Sequence, residues 1–455
     1  MNNDTICALA TPAGGAIGII RVSGEQAIGI TDSIFVTRGK PLAASAGQTI
    51  HYGYIKDKIG AVIDEVLVSL FRAPHSYTGE NSVEISCHGS QYILQQVLQL
   101  LIDSGCRQAQ PGEYTQRAYL NGKLDLTQAE AVADLIASTN KATHQMAIGQ
   151  LRGGISNELS IMREHLLKLT SLLELELDFS DHEELEFADR KELLDIATAI
   201  DNRITTLAHS FAAGKAMKNG VPVAIIGKTN VGKSTLLNRL VGEERAIVSN
   251  IHGTTRDVIE DTTIIHGVTF RLIDTAGLRN TQDEIEKIGI GLSYKKIEEA
   301  AIVLWITDAI PSESDINDMM QRCKDKQLII INNKVDLCDY SQQLKQAHPH
   351  LIVIGISAKH GENIPELQEA IYNAAGLPDI HENDVIVTSA RHYEALCLAH
   401  ENISRVIDGL NMQLSGDLIC EDLRICLDHL ADITGGSITP NEVLENIFKH
   451  FCIGK

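Results

Sequence analysis

Residues 227–234 read Gly-Lys-Thr-Asn-Val-Gly-Lys-Ser, a complete match to the phosphate-binding pattern G-x-x-x-x-G-K-[ST]. The pattern requires a buried strand that ends in a glycine-rich turn and runs straight into a helix. The flanks supply that setting: VPVAIIG (221–227) precedes the turn and STLLNRL (234–240) follows it. The glycines let successive backbone N–H groups wrap an anion at the helix N-terminus. Lys233 is then placed to reach β and γ phosphate oxygens, and Ser234 to ligate Mg²⁺. A chain carrying this element must build an α/β layer around it.

Such a layer is legible downstream. FRLIDTAG (270–277), AIVLWITD (301–308), QLIIINNKVD (327–336) and LIVIGISAK (351–359) are apolar runs separated by helical stretches. Unbroken apolar strands alternating with helices predict a parallel sheet covered on both faces. Four short motifs follow the loop in order. Thr254 and Thr255, in GTTRD, offer a second Mg²⁺ hydroxyl and a γ-phosphate sensor. Asp274-Thr275-Ala276-Gly277 offers a carboxylate for an Mg²⁺ water and the Gly277 amide for the γ-phosphate. Asn333-Lys334-Val335-Asp336 places Asp336 to accept from guanine N1–H and N2–H₂, donors that adenine lacks. Ser357-Ala358-Lys359 offers a backbone amide to guanine O6. The expected ligand is GTP, held by Asn230, Val231, Gly232, Lys233, Ser234, Thr235, Thr254, Thr255, Asp274, Gly277, Asn333, Lys334, Asp336, Ser357, Ala358 and Lys359.

Hydrolysis raises a difficulty. Many GTPases place a water-orienting Gln after Asp-Thr-Ala-Gly, but here the residue is Leu278, which has no polar side-chain atom. Another group must orient water and offset transition-state charge. Arg279, Asp283, Glu284 and Glu286 are the nearby candidates. Asn230, inside the loop, could ligate a monovalent cation beside the phosphates, whose charge would replace that of an arginine finger.

The 455 residues exceed one ordinary core, so two or three domains are expected. Residues 1–118 show short β-like runs, AIGIIRV (16–22), DEVLVSLF (64–71) and SVEISCHG (82–89), with YILQQVLQLLIDSG (92–105) as a helix. Residues 119–215 turn helical: Leu151, Ile155, Leu159, Met162, Leu166, Leu169 and Leu173 follow steps of four and three, which predicts one face of a long helix. The acidic run from Glu174 to Asp189 reads as a solvated helix end and loop. Residues 216–380 form the nucleotide domain, and 381–455 are helical again, with a capping box at Thr439-Pro440-Asn441-Glu442. Two helical segments flanking one α/β domain predict a single helical domain interrupted by a guest, which is tolerated when the guest's termini lie close together. No stretch reaches the ~18 apolar residues of a membrane helix, and the N-terminus lacks the features of a signal peptide. Nine scattered cysteines, with no Cys-x-x-Cys pair, predict reduced cytoplasmic thiols rather than a disulfide framework or zinc site. A net charge of −21 argues against general nucleic-acid affinity, while leaving room for a local basic patch.

Several further segments carry a resemblance that spans essentially the whole chain. They are DTICALATPAGGAIGIIRVSG (4–24), SYTGENSVEISCHG (76–89), PGEYTQRAYLNGKLDLTQAEAVADLI (111–136) and the terminal CIGK (452–455). With the nucleotide motifs, they resemble the bacterial tRNA modification GTPase family MnmE, also called TrmE. The resemblance implies a multidomain α/β protein: an N-terminal α+β folate-binding domain, a discontinuous helical domain and an inserted P-loop GTPase (Ras-like) domain. It implies a homodimer joined through the N-terminal domains, and an FAD-containing partner, MnmG, forming a heterotetramer that acts on tRNA. The implied reaction adds carboxymethylaminomethyl or aminomethyl at C5 of the wobble uridine, U34. It draws on a tetrahydrofolate one-carbon unit (5-formyl or 5,10-methylene), glycine or ammonium, and NADH.

The family's folate contacts fall on Arg21, Glu84, Lys123 and Lys455, a set suited to a pterin amide and a glutamate tail. The alternative for Arg21 and Lys123 is a surface ion pair. The family's K⁺ site falls on Asn230, Ser249, Ile251 and Thr254, with Ser249 also beside the nucleotide, and K⁺ is implied to promote G-domain dimerisation and hydrolysis. The implied catalytic set is Glu286 for water, with Lys233, Thr255 and Gly277, and Mg²⁺ falls on Ser234 and Thr255. Thr229 stands where the family often has Pro, and Ser249 where it has Thr. Cys452 reads as structural or as a nucleophile, and Cys87-His88 as core and turn or as catalytic. The nucleotide domain alone suits two functions: a tRNA-modifying enzyme, or a regulatory GTPase switch in ribosome assembly or signalling. The N-terminal residues and the CIGK tail favour the first.

Overall fold

A computed structural model describes residues 4–178, 190–243, 261–273, 297–378 and 384–436, together with residues 444, 447–449, 451 and 454. The elements begin β1 (Ile6–Leu9), β2 (Ile17–Ser23), α1 (Ala27–Ile34), β3 (Phe35–Thr37), β4 (Thr49–Lys56), β5 (Val62–Phe71), β6 (Ser82–His88), α2 (Gln91–Asp103), β7 (Arg107–Gln108) and α3 (Glu113–Leu120). Four helices follow: α4 (Leu126–Ala137), α5 (Lys141–Leu151), α6 (Gly154–Asp178) and α7 (Arg190–Asn219). Next come β8 (Val221–Gly227), α8 (Lys233–Glu243), β9 (Asp261–Ile265), β10 (Val268–Ile273), β11 (Ile302–Thr307), α9 (Glu313–Arg322), β12 (Gln327–Asn333), α10 (Ser341–Ala347), β13 (Ile352–Ile356) and α11 (Ile364–Ala374). The last two described helices are α12 (Ala390–Asn411) and α13 (Gly416–Thr434). The chain divides into two compact units, each assembled from separate stretches of sequence.

The first unit comprises residues 1–136, 150–189 and 412–455. Its sheet runs β3-β4-β5-β6-β2-β1-β7, antiparallel except where β1 meets β7. Alternation along β2, β5 and β6 sends Ile20, Val22, Val66, Val68, Val83 and Ile85 to one face, where they pack with Leu94, Val97 and Leu101 of α2. Helix α6 buries Ile155, Leu159, Met162, Leu166, Leu169 and Leu173, the stripe that the sequence predicts, and packs along α13. Leu151 is the exception. It closes α5, because Gly153 takes φ 87° and breaks the helix just before α6 begins.

The second unit comprises residues 137–149 and 190–411. Its sheet runs β13-β12-β11-β8-β10-β9. Leu236, Leu237 and Leu240 of α8, with Leu367 and Ile371 of α11, cover one face. Ile316 of α9 and Leu344 of α10 cover the other. The all-parallel expectation fails at one edge. DTTII and VTFRLI pair antiparallel as a hairpin closed by His266 (φ 50°) and Gly267 (φ 80°). Helices α7 and α12 pair beside the sheet's entry and exit segments. Phe211 stacks on Tyr393 with centroids 4.5 Å apart, and the Val387 N–H donates to Ser210 Oγ at 3.0 Å. Gly214 passes so close to the Val387 carbonyl that a Cβ there would overlap it.

Candidate functional site

The loop between β8 and α8 shows how the sequence shapes an anion cradle. Gly227 (φ 155°), Asn230 (φ 62°) and Gly232 (φ 102°) bend the chain through conformations that ordinary side chains disfavour. Space also selects glycine: a Cβ on Gly227 would overlap the Ile306 carbonyl, and one on Gly232 would overlap Asn333 Nδ2. Lys233 Nζ folds back over the loop and donates to the Gly227 carbonyl at 2.7 Å and the Lys228 carbonyl at 2.5 Å. The ammonium thus lies over the cradle, and charged phosphate oxygens would outcompete these two neutral carbonyls for it.

The base end is tied to this loop by side chains. Asn333, 3% exposed, donates from Nδ2 to the Val231 carbonyl at 2.7 Å and accepts the Ala358 N–H at 3.0 Å. It is therefore a strut between the phosphate loop and the Ser357-Ala358-Lys359 turn. Of the three backbone amides of Ser357-Ala358-Lys359, one of which is expected to reach guanine O6, that of Ala358 is bound to Asn333. Lys334 (φ 65°) reaches the Asn230 carbonyl at 3.0 Å and the Asp308 carboxylate at 2.7 Å. Ser357 Oγ donates to Asp336 Oδ1 at 2.7 Å. That bond, with Lys359 and His360 close by, holds the Asp336 carboxyl below its ordinary range. A carboxylate kept ionised and oriented is what a pair of base N–H donors needs. Strands β8, β12 and β13 thus deliver Val231, Asn333, Asp336 and Ser357 to one end of the sheet.

The first unit holds a second cluster. Arg21 on β2 and Glu84 on β6 are directly paired strand neighbours, and their side chains meet at 2.8 Å. Arg21 thus does form an ion pair, as the alternative reading expects, with the two side chains 21% and 26% exposed. The Arg21 guanidinium lies 5.5 Å from the ring centroid of Tyr77 and 5.6 Å from that of Tyr114, and donates to the Gly454 carbonyl at 3.4 Å. The Tyr114 hydroxyl donates to the Arg21 carbonyl at 2.7 Å, and that of Tyr77 meets Thr115 Oγ1 at 2.9 Å. Lys123 Nζ donates to the Pro74 carbonyl at 3.2 Å, on the segment that carries Tyr77. Arg21, paired with Glu84, and Lys123 therefore both meet the 74–80 segment, and Arg21 also meets Gly454. Cys87 is buried and its thiol is pushed up to about 12 by burial and by Asp64, so it is a core residue and no ready nucleophile. His88 is gripped by Asp64, through its backbone N–H at 2.8 Å and Nδ1 at 2.7 Å.

Comparison with known proteins identifies the family. The sequence profile of the GTP-binding protein TrmE N-terminus matches residues 5–123, and that of the MnmE helical domain matches residues 126–452. The chain belongs to the MnmE family. Curated relatives called tRNA modification GTPase MnmE match end to end. The one from Bacteroides thetaiotaomicron is 56% identical over all of both chains. That from Phocaeicola vulgatus is 54% identical over all of this chain and 99% of its own. That from Flavobacterium johnsoniae is 47% identical over all of both. As a member of the MnmE family the chain is a GTPase, and its architecture is the multidomain α/β arrangement expected from sequence.

Several MnmE-type positions lie outside the described residues: Ser249, Ile251, Thr254, Thr255, Asp274, Gly277, Leu278, Glu286, Cys452 and Lys455, with the capping box at 439–442. Tyr77 and Tyr114 were missed from sequence. They stand within SYTGENSVEISCHG and PGEYTQRAYLNGKLDLTQAEAVADLI, where neither tyrosine is picked out as a site residue, and the signal is an aromatic in each.

Proposed function

We propose that this chain is the GTP-hydrolysing subunit of a complex that modifies tRNA wobble uridine, U34, at C5. It would act as a homodimer with the FAD- and NADH-using partner MnmG, in the cytoplasm. The observation that carries the reading is the joint presence of two sites in one chain. One is a guanine-nucleotide site in which Asn333 ties the phosphate loop to the base loop. The other is the Arg21–Glu84 pair walled by Tyr77 and Tyr114. A nucleotide switch without RNA chemistry has no need of the second site. Among the described residues no helix is long and apolar enough to cross a membrane.

The domain reading that goes with this function has an N-terminal folate-binding domain at 1–118, a helical domain at 119–215 and 381–455, and a G domain at 216–380. The residues present suit the implied ligands. A tetrahydrofolate derivative offers pterin N–H donors to Glu84, carboxylates to Arg21, Lys123 and Lys455, and a flat ring to Tyr77 and Tyr114. When bound, it supplies the one-carbon unit. For GTP, Lys233 would leave its two loop carbonyls for phosphate oxygens, and Ser234 with Thr255 would hold Mg²⁺. Asn230, with Ser249, Ile251 and Thr254, would hold K⁺, and Glu286 would orient water in place of the missing Gln.

The test of function is mass spectrometry of wobble nucleosides from cells lacking this protein. Loss of the modified uridine is expected, and an unchanged level overturns the proposal. The cation is tested separately by comparing GTP turnover in K⁺ and Na⁺. Turnover several-fold faster in K⁺ is expected, and equal rates refute the K⁺ site.

A further inference from the structure

Arg239 lies on α8, the helix that opens at the phosphate loop, yet its side chain serves the opposite end of the site. Its guanidinium donates to the Lys359 carbonyl at 3.0 Å and approaches the Ala358 carbonyl at 3.5 Å. A peptide unit is planar and trans, so fixing the Lys359 carbonyl also fixes the N–H of His360 on the other side of that plane. That N–H points at Ser357 Oγ, 3.4 Å away. Accepting this bond leaves the Ser357 hydroxyl proton for its other neighbour, Asp336 Oδ1, at 2.7 Å. The turn is closed by Gly361, whose N–H donates to the Ser357 carbonyl at 2.8 Å and whose φ of 79° suits glycine. A Cβ on Gly361 would sit 3.5 Å from the guanidinium carbon, so the turn is packed directly on Arg239.

From this chain of contacts we infer that Arg239 is a positioning residue for guanine selectivity. It locks the 357–361 turn so that Ser357 aims the Asp336 carboxylate at the base. The inference rests on the reading of Asp336 as the guanine-recognising group. Asn333 joins the phosphate loop to the Ala358 amide, and Arg239 joins the phosphate-loop helix to the far side of the same turn.

The test measures affinities of the full-length protein for GDP and for IDP, whose base lacks the N2 amino group and so forms one bond fewer to Asp336. Arg239→Ala is expected to weaken GDP binding by about three- to tenfold, the worth of one oriented hydrogen bond. IDP binding should weaken less, so the GDP:IDP preference narrows. Arg239→Lys, which keeps one donor, should restore part of the preference. Turnover at saturating GTP should stay within about twofold of the parent, because the hydrogen bonds of Arg239 among the described residues go to the Ala358 and Lys359 carbonyls and not to the phosphate loop. Equal losses for GDP and IDP, or an unchanged preference, overturn the inference, whether or not the melting temperature falls. Asp336→Asn is the control: it should move preference from guanine to xanthine nucleotides. If it does not, the reading of Asp336 fails, whatever Arg239 does.

Discussion

At the scale of single residues, the nucleotide site depends on close approaches that leave no room for a side chain. Gly232 is the clearest case, since its missing Cβ is where Asn333 Nδ2 lies on its way to the Val231 carbonyl. Gly232→Ala strains a φ of 102° and also pushes its Cβ into Asn333. We expect GDP affinity to drop at least about tenfold, measured by calorimetric titration, and an unchanged affinity would show that the strut is dispensable. Much of this site is legible in sequence, because the phosphate loop is a contiguous motif whose backbone does the work. Asn333 as a strut and Arg239 as a tether are not legible. Each acts on a residue about 100 or more positions away, and neither spacing nor periodicity encodes such a pairing.

At the scale of elements, the N-terminal end of β1, the 74–81 segment and α3 are joined by an ionic network. Arg117, with a side chain only 10% exposed, meets Asp4 at 2.8 Å, Glu113 at 3.0 Å and Glu80 at 3.2 Å. Arg107 meets Asp4 and Glu113, each at 2.5 Å. Ser23 Oγ bonds both Thr78 and Glu80. Burial alone would raise the Asp4 and Glu113 carboxyls, but the two guanidinium groups outweigh it and hold both below their ordinary values. A carboxyl depressed on folding stabilises above its unfolded value and loses that contribution as pH falls through the folded value. Stability should therefore fall steeply on acidification below the ordinary values of 3.8 and 4.5. Glu113→Gln should flatten that acid limb in a urea-denaturation series. An identical slope would show that the network contributes nothing. Sequence reading found most strands and the α6 stripe, where periodicity is strong. It missed β9 because a hairpin edge in a largely parallel sheet contributes a short run, TTII, with no unbroken apolar core.

At the scale of the whole molecule, charge and chain path matter more than any one contact. A net charge of −21 opposes binding of a polyanion such as the proposed tRNA substrate. If the proposed function holds, the isolated chain should bind tRNA weakly, and the proposed partner MnmG should supply most of the attraction. Filter binding at physiological salt checks this, and tight binding by the chain alone would refute it. The same scale gives the Arg21–Gly454 contact a meaning in time. The two residues are 433 positions apart in sequence. At roughly 5–20 residues per second, the Arg21 side chain waits about 20–90 seconds on the ribosome before its carbonyl partner is made. Residue 454 also passes Leu9 so closely that a side chain there would overlap the Leu9 carbonyl. The cluster around Arg21 is thus among the last parts of the first unit to be completed, although its first residues are among the first to be synthesised.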